Sequence, residues 1–200
     1  MNVELAARTP DALRVAFAAI RTCYSPKDFK TLWNFEYPKY VENNNDHIRL
    51  VKQIVNHGHT STLEHINFTF SISGISRSLL AQLTRHRIGF SYSVQSQRYV
   101  NMTKAKFGYT IPASIGNNLS AKAYYIGMMS KLQEDYDALV ANGILPEDAR
   151  YILPNAVTTN LVLTCNLRAF LDFYSKRNSE THAQWEIAEL AEQMKEEIIA

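Results

Sequence analysis

The sequence predicts an α+β fold, several helices around a small, mostly antiparallel sheet. Ile66 to Ser73 alternates apolar and polar residues with period two, the mark of a half-buried strand. Val157 to Thr164 is β-branched and strand-like. The longer segments around them repeat apolar residues at three- and four-residue spacing, the mark of amphipathic helices.

In chain order, Thr9-Pro10-Asp11 reads as a helix start, with a hydroxyl cap, proline at the first helical position and an acid in the first turn. Leu13, Val15, Ala16 and Ile20 carry that helix to about Cys23. Ser25 to Tyr40 is aromatic and irregular. Asp46 is expected to cap a second helix with Ile48, Val51 and Ile54 on one face, ending near His57-Gly58. Ser61-Thr62-Leu63-Glu64 has a capping-box pattern with room only for a short turn. After the Ile66–Ser73 strand, Gly74 breaks the alternation, and Ile75 to Thr84 resumes helical spacing. Phe107 to Ile111 reads as a strand stopped by Pro112, and a long helix is expected from Ser120 to Asn142. Leu145 starts another helix, interrupted at Pro154. Asn166 to Lys176 and Ala183 to Ile199 are helical.

With 200 residues, 46% hydrophobic and 20% charged, the chain suits one domain over residues 1–200 that can bury a core. Cys23 and Cys165 lie too far apart for a metal or redox motif. With no signal-like N-terminus and no long apolar run, a cytoplasmic protein with reduced thiols is expected. The net charge of +2 argues against a nucleic-acid coat protein. It conceals an asymmetry, however. No acid lies between Glu64 and Glu134, while Arg77, Arg85, Arg87, Arg98, Lys104, Lys106, Lys122 and Lys131 all do. Such a zone in a near-neutral protein favours a small anionic ligand in a focused site.

The zone centres on RHRIGFSYSVQSQRY, Arg85 to Tyr99. Gln82 and Arg85 share a helix face at i, i+3, so an amide and a guanidinium can read one ligand. Arginine suits bidentate phosphate recognition, and Ser96, Gln97 and Arg98 add further donors. Ser96 as a nucleophile with His86 as base would lack an orienting third group. A second cluster joins His57, His59, Glu64 and His65. It lacks the HExxH spacing of a metal site and fits better a ligand-facing turn presenting His59 and Ser61. A third, Asn166, Arg168, Asp172 and Arg177, recurs near helical spacing. Cys165 reads as a small buried hydrophobe.

RHR followed after eight residues by Ser, continuing as SQRYV, resembles the signature of the flavin-dependent thymidylate synthases. GHTSTLEHINFTFSISGISRS upstream and HAQWEI downstream are similar to that family too, in the same order. The resemblance implies synthesis of dTMP from dUMP, with methylenetetrahydrofolate as one-carbon donor and NADPH reducing bound FAD. It also implies a homotetramer with shared active sites. By similarity, His59, Ser61 and Glu64 belong to a flavin-contacting turn, and Arg85, His86 and Arg87 contact FAD. Asn166 and Arg168 match flavin contacts, and Asp172 stands where the family usually has Asn or His beside the flavin. Gln95 is shared between the cofactor and the nucleotide. Gln82, Arg85, Ser96, Gln97, Arg98 and Arg150 would hold dUMP. Arg177 matches the arginine that activates the uracil, where charge developing on the pyrimidine needs a fixed cationic donor. No enzyme cysteine and no metal is required.

Two rivals come from other classes. A nucleic-acid-binding module would use the basic zone for phosphates and its tyrosines for stacking. A metal-dependent hydrolase would need a metal held by His57, His59 and His65.

Overall fold

A computed structural model describes residues 1–200. Four strands, β1 (Asn2–Arg8), β2 (Asn67–Ser76), β3 (Phe90–Val94) and β4 (Thr158–Asn166), form one antiparallel sheet in the order β1-β2-β4-β3. The longer helices are α1 (Ala12–Thr22), α2 (Asp46–Asn56), α3 (Arg77–Leu83), α4 (Leu119–Ala141), α5 (Leu167–Arg177) and α6 (Trp185–Ile199).

The period-two pattern assigns the two faces of the sheet. Phe68, Phe70 and Ile72 of β2 pair with Cys165, Leu163 and Leu161 of β4, and all six are buried. Phe90, Tyr92 and Val94 of β3 join the same face. Leu79 and Leu83 of α3, Phe170 and Phe173 of α5, and Ile187 and Leu190 of α6 pack onto it. The opposite face carries Ser71, Ser91, Ser93 and Asn160, all exposed. A second apolar cluster gathers Met129 and Tyr136 of α4 with Met102, Phe107, Ala149 and Val157.

Several local expectations change. β1 lies in a stretch whose alternation is brief, only Val3 and Leu5 facing the core side by side with Ile72 and Phe70. Thr9 does not cap α1. Its backbone N–H donates to Asn67 O at 2.9 Å and its hydroxyl accepts from Asn67 N at 2.9 Å, so it extends the β1–β2 pairing. α1 starts instead after Asp11, at a left-handed φ of 49°. Asn45, also left-handed, precedes α2, and Asp46 is its first residue. The aromatic segment after α1 is helical: Phe29–Thr31, a π-type turn over Leu32–Glu36, and Tyr37–Glu42. Phe17 of α1 holds it, meeting Tyr37 and Tyr40 edge-on with centroids 5.3 and 4.9 Å away. The buried Glu36 carboxylate is paired with Arg21 at 2.5 Å and Lys27 at 2.7 Å. Phe107 to Ile111 makes only an isolated bridge, Tyr109 to Val157, and not a strand of the sheet.

Candidate active site

The loop that leaves α3 shapes the site. Ser76 accepts the N–H of Leu79 and caps α3, which ends at Leu83. Thr84 to Gly89 then turns back into β3. Tyr92 of β3 places its hydroxyl 2.9 Å from Leu83 O and 2.6 Å from His86 O, tying the loop to the strand it feeds. At the far end of the loop Gly89 takes φ 73°. A Cβ there would lie 2.6 Å from Ala169 Cβ and 2.7 Å from Asn166 Nδ2, so only glycine lets the loop approach α5 so closely. Gly89 O accepts the N–H of Asn166 at 3.1 Å, and Asn166 Oδ1 in turn caps α5 through Ala169 N at 2.8 Å.

This packing opens two adjoining clefts, of about 570 and 480 Å³, between the loop and α5. Arg85, His86, Arg87 and Arg177 line the first. Glu64, Gly89, Asn166 and Arg168 line the second, and Ile88, Asp172 and Lys176 line both clefts. Residues from three distant parts of the sequence therefore meet in one place. The walls carry five arginine or lysine side chains and two carboxylates. Both carboxylates are already matched: Glu64 to Arg168 at 2.5 Å and Asp172 to Lys176 at 2.7 Å. Arg85, Arg87 and Arg177 are left without an anion. Three uncompensated guanidiniums beside a closely approached backbone turn suit a doubly charged phosphate or diphosphate group.

His86 sits between these cations. Its ring meets Phe173 edge-on at 5.0 Å, and its Nε2 accepts from Arg177 Nε at 3.2 Å. Burial lowers its pKa below 6.5, and Arg177 and Lys176 lower it further against the opposing pull of Asp172. The Glu64–Arg168 pair anchors the helical turn Thr60–His65 to α5. His59 and Ser61 of that turn are exposed and stand outside the cleft walls. Gln82, on α3, also stands outside them, its amide 3.5 Å from Ser78 O. His57, His59 and His65 do not converge on a three-ligand group.

The remaining expected nucleotide residues lie at the other end of β3. Gln95 to Arg98 follow the strand, and five residues at about 3.4 Å each separate them from the cleft by roughly 17 Å. There Arg98 Nε pairs with Glu147 at 2.5 Å and Arg150 Nε donates to Glu147 O at 2.9 Å. Ser96 Oγ accepts the N–H of Arg98 at 3.2 Å.

A family model described as thymidylate synthase complementing protein matches residues 4–200. Over 99% of its length the chain is 35% identical to the flavin-dependent thymidylate synthase of Clostridium tetani, covering 82% of that protein. The chain belongs to the flavin-dependent thymidylate synthase family. The enzyme of this family from Nitratidesulfovibrio vulgaris is 37% identical over 96% of the chain and 80% of its own length. Among solved structures, the flavin-dependent thymidylate synthase ThyX of Helicobacter pylori, complexed with FAD and dUMP, superposes with a TM-score of 0.71. It is 26% identical, with 98% of this chain and 93% of that one covered. The UMP/dUMP methylase PolB of Streptomyces cacaoi, bound with 5-Br dUMP, shares the fold at a TM-score of 0.80 and 23% identity, over 98% and 88% of the two chains.

Within this flavin-dependent thymidylate synthase fold, one cation escaped the motif reading. Arg77, first residue of α3, donates through Nη2 to Gln95 O at 3.0 Å, while its buried Nε has no partner. No carboxylate pairs with it; burial lowers its pKa, and Arg150 lowers it further. A half-buried arginine with an orphan donor and a second arginine nearby has the chemistry to take an anion. Its signal was present in the acid-free zone, but nothing in the RHR spacing points to it. HAQWEI, by contrast, serves the fold. Gln184 caps α6 through Glu186 N and Ile187 N, and the buried Glu186 carboxylate accepts from Ser76 N at 2.8 Å and Ser76 Oγ at 2.5 Å.

Proposed function

We propose that the protein makes dTMP from dUMP by reductive methylation, with methylenetetrahydrofolate as one-carbon donor and NADPH as reductant. The observation that carries this reading is the single cleft in which Arg85, Arg87 and Arg177 meet without a carboxylate to neutralise them. When bound, FAD supplies the two-electron chemistry that passes a hydride from NADPH toward the pyrimidine. Arg85 and Arg87 would hold its diphosphate, Gly89 would leave room for close approach, and Asn166 and Arg168 would complete the holding set. Glu64 fixes Arg168, and through it the turn bearing His59 and Ser61. Arg177 stabilises negative charge that develops at the N3–O edge of the uracil while carbon 5 captures its electrophile. Arg77, Arg98 and Arg150, with Ser96 and Gln97, hold the dUMP phosphate.

In one chain those two sets are roughly 17 Å apart, a separation that favours sites built from more than one copy. The first half of α4 supports the same view, because Leu119, Tyr124 and Met128 are exposed apolar residues on a helix that is apolar on several sides. The reading is therefore a homotetramer with shared sites. No helix is long and apolar enough to cross a membrane, and we place the enzyme in the cytoplasm.

Purified protein should be yellow, absorbing near about 450 nm as oxidised flavins do. It should form dTMP only when dUMP, methylenetetrahydrofolate and NADPH are all present. Protein that stays colourless after incubation with FAD overturns the flavin reading. Salt-sensitive retention on long nucleic acid by such colourless protein would favour the nucleic-acid-binding module instead.

A further inference from the structure

Arg177 reaches the cleft from the last turn of α5, where a long side chain on a helix end has many rotamers to choose from. A donor that must meet a transition state cannot be left free among them. We propose that His86, as a neutral imidazole, is the positioning residue that aims Arg177, and that its protonation releases the guanidinium. The proposal rests on the reading of Arg177 given above and extends it to the control of that side chain.

The geometry is a 3.2 Å contact from Arg177 Nε to His86 Nε2. Arginine has no acceptor, so Nε2 must be the unprotonated ring nitrogen and the proton sits on Nδ1. His86 can hold a fixed direction because it is gripped twice. Its ring stands perpendicular to Phe173 at 5.0 Å, and its carbonyl lies 2.6 Å from the Tyr92 hydroxyl. With Nε occupied, the two terminal amino groups of Arg177 have no protein partner and remain available to a planar ligand edge at the cleft.

The charges around the ring favour the accepting state. From α5, Arg177 and Lys176 oppose a proton on His86 while Asp172 favours one. From its own loop Arg85 also opposes it, and burial adds the largest share. From β3 the group presented is the Tyr92 hydroxyl, which meets the carbonyl and not the ring. Acidification below the ring's lowered pKa converts the acceptor into a cation beside a cation. The contact then becomes repulsive, and Arg177 loses its aim.

The test uses the FAD-bound protein and two independent readouts. Nitrogen-15 resonances of the His86 ring, followed from pH 5 to 8.5 (about the range over which histidine titrates), should show an unprotonated Nε2 at neutral pH. Arg177→Ala should raise the pKa of His86, because a facing cation is gone. A Nε2–H tautomer, or a titration indifferent to Arg177→Ala, overturns the proposal.

The second readout is dUMP methylation as a function of pH. The wild-type rate should fall on the acid side with the His86 titration. In His86→Gln the amide oxygen can accept from Arg177 but cannot be protonated, so that acid limb should vanish or move. His86→Ala should slow methylation on the order of tenfold, as expected for losing a hydrogen bond to a charged group. Adding Arg177→Ala to His86→Ala should do no more than Arg177→Ala alone, about a hundredfold for a lost preorganised donor. An acid limb unchanged in His86→Gln, or losses that simply multiply, overturns the positioning role. If Arg177→Ala shifts the His86 titration yet leaves methylation intact, the contact stands and the catalytic reading of Arg177 falls.

Discussion

At the scale of single residues, the arginines divide by what surrounds them more than by where the motif puts them. Arg98 belongs to the SQRYV segment, yet its guanidinium is held by Glu147 at 2.5 Å. Arg77 belongs to no part of that motif, and it is the one with a buried, unpartnered Nε and no carboxylate. A doubly charged phosphate brought between Arg77 and Arg150 would satisfy the orphan donor and relieve the repulsion between the two cations. Arg77→Ala should therefore raise the KM for dUMP by about tenfold to a hundredfold, the range for a charge-assisted hydrogen bond. The rate of flavin reduction by NADPH should change little, since Arg77 lies at the other end of β3 from the Arg85–Arg177 cleft proposed to hold the flavin. Arg77→Lys should recover only part of the loss, because a lysine cannot reach both Gln95 O and the ligand with a planar fork. A KM unmoved by Arg77→Ala, with the protein folded, would remove Arg77 from the nucleotide site.

At the scale of elements, α5 is positioned at both ends, by Asn166 and Gly89 at its start and by Glu192 just past its finish. Glu192 of α6 accepts from Ser179 N at 3.1 Å, Ser179 Oγ at 2.9 Å and Tyr174 Oη at 2.9 Å. These bonds, led by the Ser179 N–H, hold its carboxyl down to about 2, with Lys195 adding a smaller pull. The sign follows from that depression. The stabilisation is fully present above the ordinary value of 4.5 and is lost as pH falls from there through about 2. Glu192→Gln should thus lower the thermal midpoint at pH 7 by roughly 2–4 °C, about 1 kcal/mol for a chain of this length. Near pH 2 the variant and the parent should converge; a gap that stays constant with pH would show that the carboxylate charge is not what holds the turn. Glu192 was invisible in the sequence, where it is one acid among many near the C-terminus. The helices and strands that could be read early are β2, β4 and the six longer helices α1 to α6. β3 has the same alternation, with Phe90, Tyr92 and Val94 inward and Ser91 and Ser93 outward, but its five residues sit inside the cationic Arg85–Tyr99 motif, which draws attention to ligand chemistry and away from the strand. Phe107 to Ile111 shows the converse. It has strand-like residues, but its neighbours offer only one bridge, made by the hydrogen bonds Thr110 N to Ala156 O and Thr158 N to Gly108 O, so propensity finds no ladder to join. The cleft was legible for a different reason. Arg168, Asp172 and Arg177 lie on one short helix capped by Asn166, and Arg85 to Arg87 on one loop, so each half was intact in the sequence before the fold joined them.

At the scale of the whole molecule, one chain holds two incomplete cation sets at opposite ends of a short strand. Arg85, Arg87 and Arg177 occupy one end, and Arg77, Arg98 and Arg150 the other. Along β3 the two ends stand roughly 17 Å apart, which favours a different nucleotide-binding partner for each. Two copies arranged about a symmetry axis can bring one end of each chain together, and closed symmetry then makes every such site equivalent. The apolar, exposed start of α4 gives such an assembly a surface to bury. The consequence can be tested by mixing defects. Arg85→Ala and Arg98→Ala should each be nearly inactive alone, because every site in either homo-oligomer lacks one of the two arginines. Coexpressed at equal levels under different affinity tags, and purified through both, they should form mixed oligomers. Random assembly leaves about a quarter of shared sites with both arginines intact. Activity should recover to about that fraction of wild type in the doubly tagged material and to none in a mixture of the separately purified variants that has not exchanged subunits. Inactive doubly tagged oligomers would mean that Arg85 and Arg98 serve the same chain, and the two ends of β3 would then need some other means of meeting.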